Sequence, residues 1–125
     1  MDVGARIIQL MAQIQQTHTG IGVQIDANKF VSGRASTNEE IAEGLLRDPA
    51  SFTEIFAGYL EMYGDLREVE PLFQALKDEH PEVDLSGSIE DADILRDSAK
   101  DALMCFSRAY EKRIRKDVED ANQNS

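Results

Sequence analysis

The chain has 125 residues, 42% of them apolar, which fits one domain with a single hydrophobic core and argues against a disordered acidic segment as a description of the whole. A formal charge of −11 argues against direct nucleic-acid binding as the main activity, since that requires a dominant basic surface able to release counterions from phosphates. One cysteine, Cys105, leaves no intramolecular disulfide, and no apolar run approaches the length of a membrane span.

The first predicted element is an amphipathic helix over residues 3–16. Val3, Ile7, Leu10, Met11 and Ile14 recur at spacings of three and four, with glutamines on the outer face. The pattern breaks near Thr17–Gly20, and the period then changes. Ile21, Val23 and Ile25 alternate, Asp26-Ala27-Asn28 offers a turn, and Phe30-Val31 follows. This reads as a short extended arm or β-hairpin insertion near residues 20–34. A lone hairpin is marginal in water, so it is expected to lie on the helices or pair with another chain.

Thr37 with Glu40 forms a capping box ahead of Ile41, Leu45 and Leu46. Asp48-Pro49 closes that element and begins the next, because proline suits a first helical turn. Ser51 with Glu54 makes a second box, opening the stripe Phe52, Ile55, Phe56, Tyr59, Leu60 and Tyr63, with Gly64 as its stop. A further helix carries Leu66, Val69, Leu72, Phe73 and Leu76, with Pro71 as a candidate start, and ends before Pro81. Ser88 with Asp91 opens the last helix. Its seam is Leu95, Ala99, Ala102, Leu103, Phe106, Tyr110, Ile114 and Val118. Continuous over 89–119, that helix would be about 45 Å long, more than helices of ~15 residues can cover. Something is therefore expected to bury its far end: the N-terminal helix, a second copy of the chain, or a partner.

The expected fold is predominantly all-α, a four- to five-helix bundle with the insertion near 20–34 and a long C-terminal helix. Residues 1–120 are read as one helical domain and 121–125 as a disordered tail. The stretch from Tyr59 to Pro81, with Gly64, Phe73 and Pro81 as matching points and Ala57 as the earlier small residue, resembles one tetratricopeptide-type helical hairpin. No second copy occurs 34 residues either way, so the resemblance implies a helix-turn-helix hairpin and no stacked repeat.

Charge is the feature with the most functional content. Residues 37–107 carry 18 acidic and five basic side chains, while residues 1–36 and 108–125 are each at net +1. Along the last helix Asp91, Asp93, Asp97 and Asp101 lead, and Arg108, Lys112, Arg113, Arg115 and Lys116 follow. The acidic start and basic end match the helix dipole, and equally an electrostatic docking strip or an antiparallel dimer of such helices.

Catalytic and metal motifs are sparse. His18 and His80 lack a glutamate three residues earlier, so the Glu-x-x-His motif of dinuclear bundle sites is missing. The acidic pairs Glu40/Glu43 and Glu90/Asp93 resemble those with which helical nucleotide pyrophosphatases hold magnesium, but no basic phosphate-binding cluster accompanies them. Asp91–Arg96 places isoleucine and leucine where a calcium loop needs ligands and glycine. Cys105 lies between Met104 and Phe106 with no histidine nearby in sequence, which implies an inert thiol.

The resulting expectation is a non-enzymatic, acidic protein–protein interaction module, an adaptor or inhibitor without metal or cofactor. It would cover a surface on another protein, basic or nucleic-acid-binding, without touching nucleic acid or membrane. Glu39, Glu40, Glu43, Asp91, Asp93, Asp97 and Asp101 would supply attraction, and Tyr110 and Ile114 the apolar anchor. The alternatives are an assembly protein that forms its own homodimer through the C-terminal helix, and a small metal-dependent phosphohydrolase. With no basic leader before an apolar core, the expected location is the cytoplasm of a cell or of an infected host cell.

Overall fold

The computed structural model describes residues 2–33, 35 and 37–123. Among them the chain forms four helices and no strand: α1 (Val3–Ala27), α2 (Asn38–Leu45), α3 (Pro49–Glu79) and α4 (Ser86–Gln123). α3 is the spine. α1 packs along one side of it and α4 along another, while the short α2 lies on α4 and touches α3. Both long neighbours run antiparallel to α3. Arg6, early in α1, reaches Glu68 late in α3, and Phe106 and Tyr110, far along α4, stack on Phe52 at the start of α3.

The expected insertion near 20–34 is absent, because α1 continues unbroken through Gly20 and Gly22 to Ala27. Burial decides this against local propensity. Ile14 and Ile21 lie seven residues apart on one face and are both buried, Ile25 packs against the same core, and Val23 points outward at 62% exposure. Alternating apolar residues thus satisfy a helix as well as a strand, and the docking of Ile21 against Gly58 of α3 selects the helix. Residues 28–33 then form a short turn, and Arg34, at the end of the predicted insertion, lies outside the described residues.

α3 also runs on where two helices were expected, so the tetratricopeptide-like turn at Gly64 does not form. Pro71 sits inside it, removing one backbone donor, a defect of roughly 3 kcal/mol. Its ring lies on an exposed position, while Leu66, Val69 and Phe73 around it are buried and hold the helix on course.

On α4 the buried positions are mostly small: Ala92, Ala99, Ala102 and Ala109, with Phe106 the one large residue among them. Alanines at spacings of seven and three bring the α4 backbone close to its neighbours. Phe106 then fills the space between Phe52, Phe56 and Tyr59, at ring separations of 5.1, 6.2 and 5.6 Å.

The helix starts are fixed by side chains. Thr37 caps α2 as expected: its Oγ1 accepts from the Glu40 amide at 3.2 Å and donates to Glu40 Oε1 at 2.9 Å. For α3 the cap is Asp48 rather than Ser51. Asp48 accepts from the Ser51 hydroxyl at 2.7 Å and from Asn28 Nδ2 at 3.0 Å, tying the end of α1 to the start of α3. These bonds, that of Ser51 above all, hold the Asp48 carboxyl below its ordinary pKa. α4 begins at Ser86, earlier than expected, and continues to Gln123, into the segment read as a tail; Asn124 and Ser125 lie outside the described residues.

Candidate interaction surface

α4 has 38 residues and is about 57 Å long, against about 46 Å for the 31 residues of α3. Because Tyr110 already stands beside Phe52, near the first residue of α3, the remaining turns of α4 run past the start of α3. Every described residue from Tyr110 to Gln123 is exposed. The apolar seam continues beyond the start of α3. Tyr110, Ile114 and Val118 continue it at spacings of four, with exposures of 54%, 44% and 54%.

Charged pairs flank this stripe. Arg115 bonds Glu111 at 2.5 Å and Arg113 meets Asp117 at 3.5 Å, each one helical turn apart along α4. Beside the stripe, on the bundle, Tyr63 of α3 and Leu103, Met104 and Ser107 of α4 line an apolar groove rimmed by Lys100 and Arg108.

The predicted acidic residues fall into two settings. On α2, Glu39 and Glu43 face Arg108, Lys112 and Arg115 of α4 across a groove of about 300 Å³, so part of the acidic and basic segregation is complemented within the chain. Glu40 is engaged at the cap of α2. On α4, Asp101 accepts from Asn38 of α2 at 2.8 Å, and Arg96 lies between Asp93 at 3.3 Å and Asp97 at 3.4 Å while also pairing with Glu70 of α3. Asp91 is exposed. The carboxylates of α4 thus serve the α2–α4 and α3–α4 contacts as well as the surface.

The helix-dipole account of the basic cluster fails on the length of α4. Its last turn carries no basic residue, Glu119 and Asp120 stand near its end, and Arg108–Lys116 lie about two to four turns earlier, beyond the reach of the terminal charge.

Among the described residues no group of three His, Cys, Asp or Glu side chains could hold a metal ion, so Glu40, Glu43, Glu90 and Asp93 do not converge. Burial and the neighbouring Asp101 push the Cys105 thiol up, away from the reactive thiolate. Among the described residues no helix is long and apolar enough to cross a membrane.

Two features escaped the sequence reading. The α2–α4 groove depends on α2 folding back beside the middle turns of α4, and no local signal reports that. The apolar groove beside Leu103 and Met104 was half legible, since both belong to the α4 stripe, but Tyr63 was read only as core. No protein-family model, curated protein or solved structure matches the chain significantly.

Proposed function

We propose that this protein is a non-enzymatic interaction module, an adaptor or inhibitor acting in the cytoplasm by covering a surface on another macromolecule. The observation that carries this reading is the projecting end of α4, where Tyr110, Ile114 and Val118 extend the core seam into solvent. An aromatic and two branched aliphatic residues in line are the kind of anchor that gains most from being desolvated. The acidic body contributes at longer range, speeding encounter with a basic surface, such as that of a nucleic-acid-binding protein, and repelling acidic ones.

The test is capture of binding proteins on the immobilised chain, compared with Ile114→Asp and with the triple reversal of Asp93, Asp97 and Asp101 to lysine. Loss of a stoichiometric protein with Ile114→Asp, and loss of its salt sensitivity with the triple reversal, would support both parts. Binding untouched by either change would sink the reading. A second reading, in which the chain acts by assembling with itself, is favoured by the charged pairs beside the stripe.

A further inference from the structure

We propose that the projecting end of α4 is covered by the same end of a second copy, laid antiparallel about a two-fold axis at Ile114. This rests on the reading above that the end is a contact surface, and takes its second form, in which a second copy rather than a different protein occupies the stripe.

The stripe has the symmetry that such a contact needs. With the axis at Ile114, Ile114 meets Ile114 of the second copy, and Tyr110 falls level with Val118 of that copy, twice over. A large ring is thereby set against a small branched side chain, as a self-complementary contact requires.

The flanking charges fit the same axis. At about 100° per residue, Glu111 and Arg115 lie on one flank of the stripe and Asp117 and Arg113 on the other. A two-fold perpendicular to the helix sets each flank against its own reversed copy. Glu111 then stands within about 3 Å, measured along the axis, of Arg115 of the second copy, and Arg113 equally near Asp117. The i,i+4 bridges seen within one helix thus become acid-to-base contacts across the interface, on both sides of the seam.

The bundle offers the incoming helix a place to land. In this register residue 121 of the second copy, an alanine, lies level with Ser107 in the groove of Tyr63, Leu103 and Met104. Its Glu119 lies on the flank of Arg108 and within about 2 Å of its level along the axis, and no acidic residue lines that groove.

Electrostatics selects the antiparallel arrangement. Residues 37–107 hold 18 acids against five bases, so two bodies side by side, as parallel helices would place them, repel strongly. Residues 108–125 are at net +1, and the two acids of α2 that stand beside them, Glu39 and Glu43, face Arg108, Lys112 and Arg115 of their own chain. Antiparallel pairing about Ile114 leaves the two copies of Asp97 about 50 Å apart, several times the Debye length of ~10 Å.

The test combines solution mass with cross-links that report register, all in the full chain with Cys105→Ser. Sedimentation of the unmodified chain should show a dimer that dissociates on dilution and is lost with Ile114→Asp, an exposed position where the change spares the fold. Mixed Tyr110→Cys and Val118→Cys chains should oxidise to the 110–118 heterodimer faster than either forms a homodimer. Lys112→Cys, on the far side of the helix, should give no such product. Faster 110–110 and 118–118 cross-linking would mean a parallel pair and overturn the proposal.

A monomer at every concentration, with no preferred cross-link, would also overturn it, and hydrogen exchange over 110–121 then separates two failures. Fast exchange would leave the stripe open for a different protein and the wider reading standing. Exchange as slow as in the buried part of α4 would mean that the chain covers its own stripe, and both readings would fall.

Discussion

Adding one methyl group at three glycines tests how closely the helices approach. The intrinsic helix preference favours alanine over glycine by about 1 kcal/mol, so in open space each substitution should stabilise. At Gly64 of α3 an added Cβ meets nothing within 4 Å, and Gly64→Ala should raise stability by nearly that amount, or Tm by about 4 °C. At Gly58 the Cβ would lie 3.1 and 3.2 Å from the tip of Ile21 on α1. That side chain can shift by a few tenths of an ångström, so Gly58→Ala should be close to neutral. At Gly44 of α2 the Cβ would fall 2.6 Å from the Phe30 carbonyl oxygen and 3.4 Å from the Val31 Cα. These are backbone atoms, and relieving the contact means moving α2 off the turn that follows α1. An overpacking cost of about 2–3 kcal/mol exceeds the propensity gain, leaving Gly44→Ala destabilised by roughly 1–2 kcal/mol. Urea unfolding followed by far-ultraviolet circular dichroism reads all three against the unmodified chain. A Gly44→Ala variant as stabilised as Gly64→Ala would refute the packing of the 28–31 turn on α2.

Phe106→Ala should cost about 3–5 kcal/mol, because the ring is fully buried among three others and the alanines around it leave nothing to refill the space; an unchanged urea midpoint would contradict that cluster. Asp65, half-buried, has its pKa raised by burial and by Glu61 and Glu68, so its charged form destabilises the fold above the folded pKa. Asp65→Asn should therefore stabilise at pH 7, the gain fading as pH falls through the folded value toward the ordinary 3.8, and thermal melts across that range check the sign. Asp48 is the opposite case: its lowered pKa contributes stability above 3.8 that is lost as pH falls through the folded value. Asp48→Ala should thus melt lower at neutral pH and approach the unmodified chain in acid, and a gap independent of pH would reject the cap as drawn.

The helical class and the long C-terminal seam were legible in the sequence because they rest on periodicity, and the Thr37 cap because it rests on adjacent residues. What was misread depended on contacts distant in sequence. Gly20, Gly22 and Gly64 look like helix ends, and become so only where no neighbouring helix rewards continuation. Ile21 docks on Gly58 and carries α1 past its glycines, while Val69 and Phe73 carry α3 past Pro71. Ser51 was read as the cap, and Asp48 only as the residue that, with Pro49, closes one element and begins the next. The bond from Asn28, at the end of another helix, adds to the support for Asp48 and is invisible to a local reading. For the interaction surface, the sequence marked Tyr110 and Ile114 as a seam without a cover. Only the length of α3 established that α4 outruns it.

The placement of the basic residues on α4 still needs a cause, and the candidates are unequal. The helix dipole is excluded by position, since the last turn is without basic residues. Complementation of Glu39 and Glu43 accounts for Arg108, Lys112 and Arg115, which line the groove facing α2, but not for Arg113 or Lys116. Solubility does not account for them either, because the five bases bring the chain from −16 to −11, toward neutrality rather than away from it. What they do is remove the net charge from a segment whose apolar face is bare. A strongly acidic tip would repel its own copy and hold apolar side chains apart. A nearly neutral tip on an acidic body lets the exposed stripe be covered while the bodies stay at a distance. On that argument the charge pattern and the overlong helix are one feature, and reversing Arg113 and Lys116 to glutamate should weaken self-association at low salt more than at high salt.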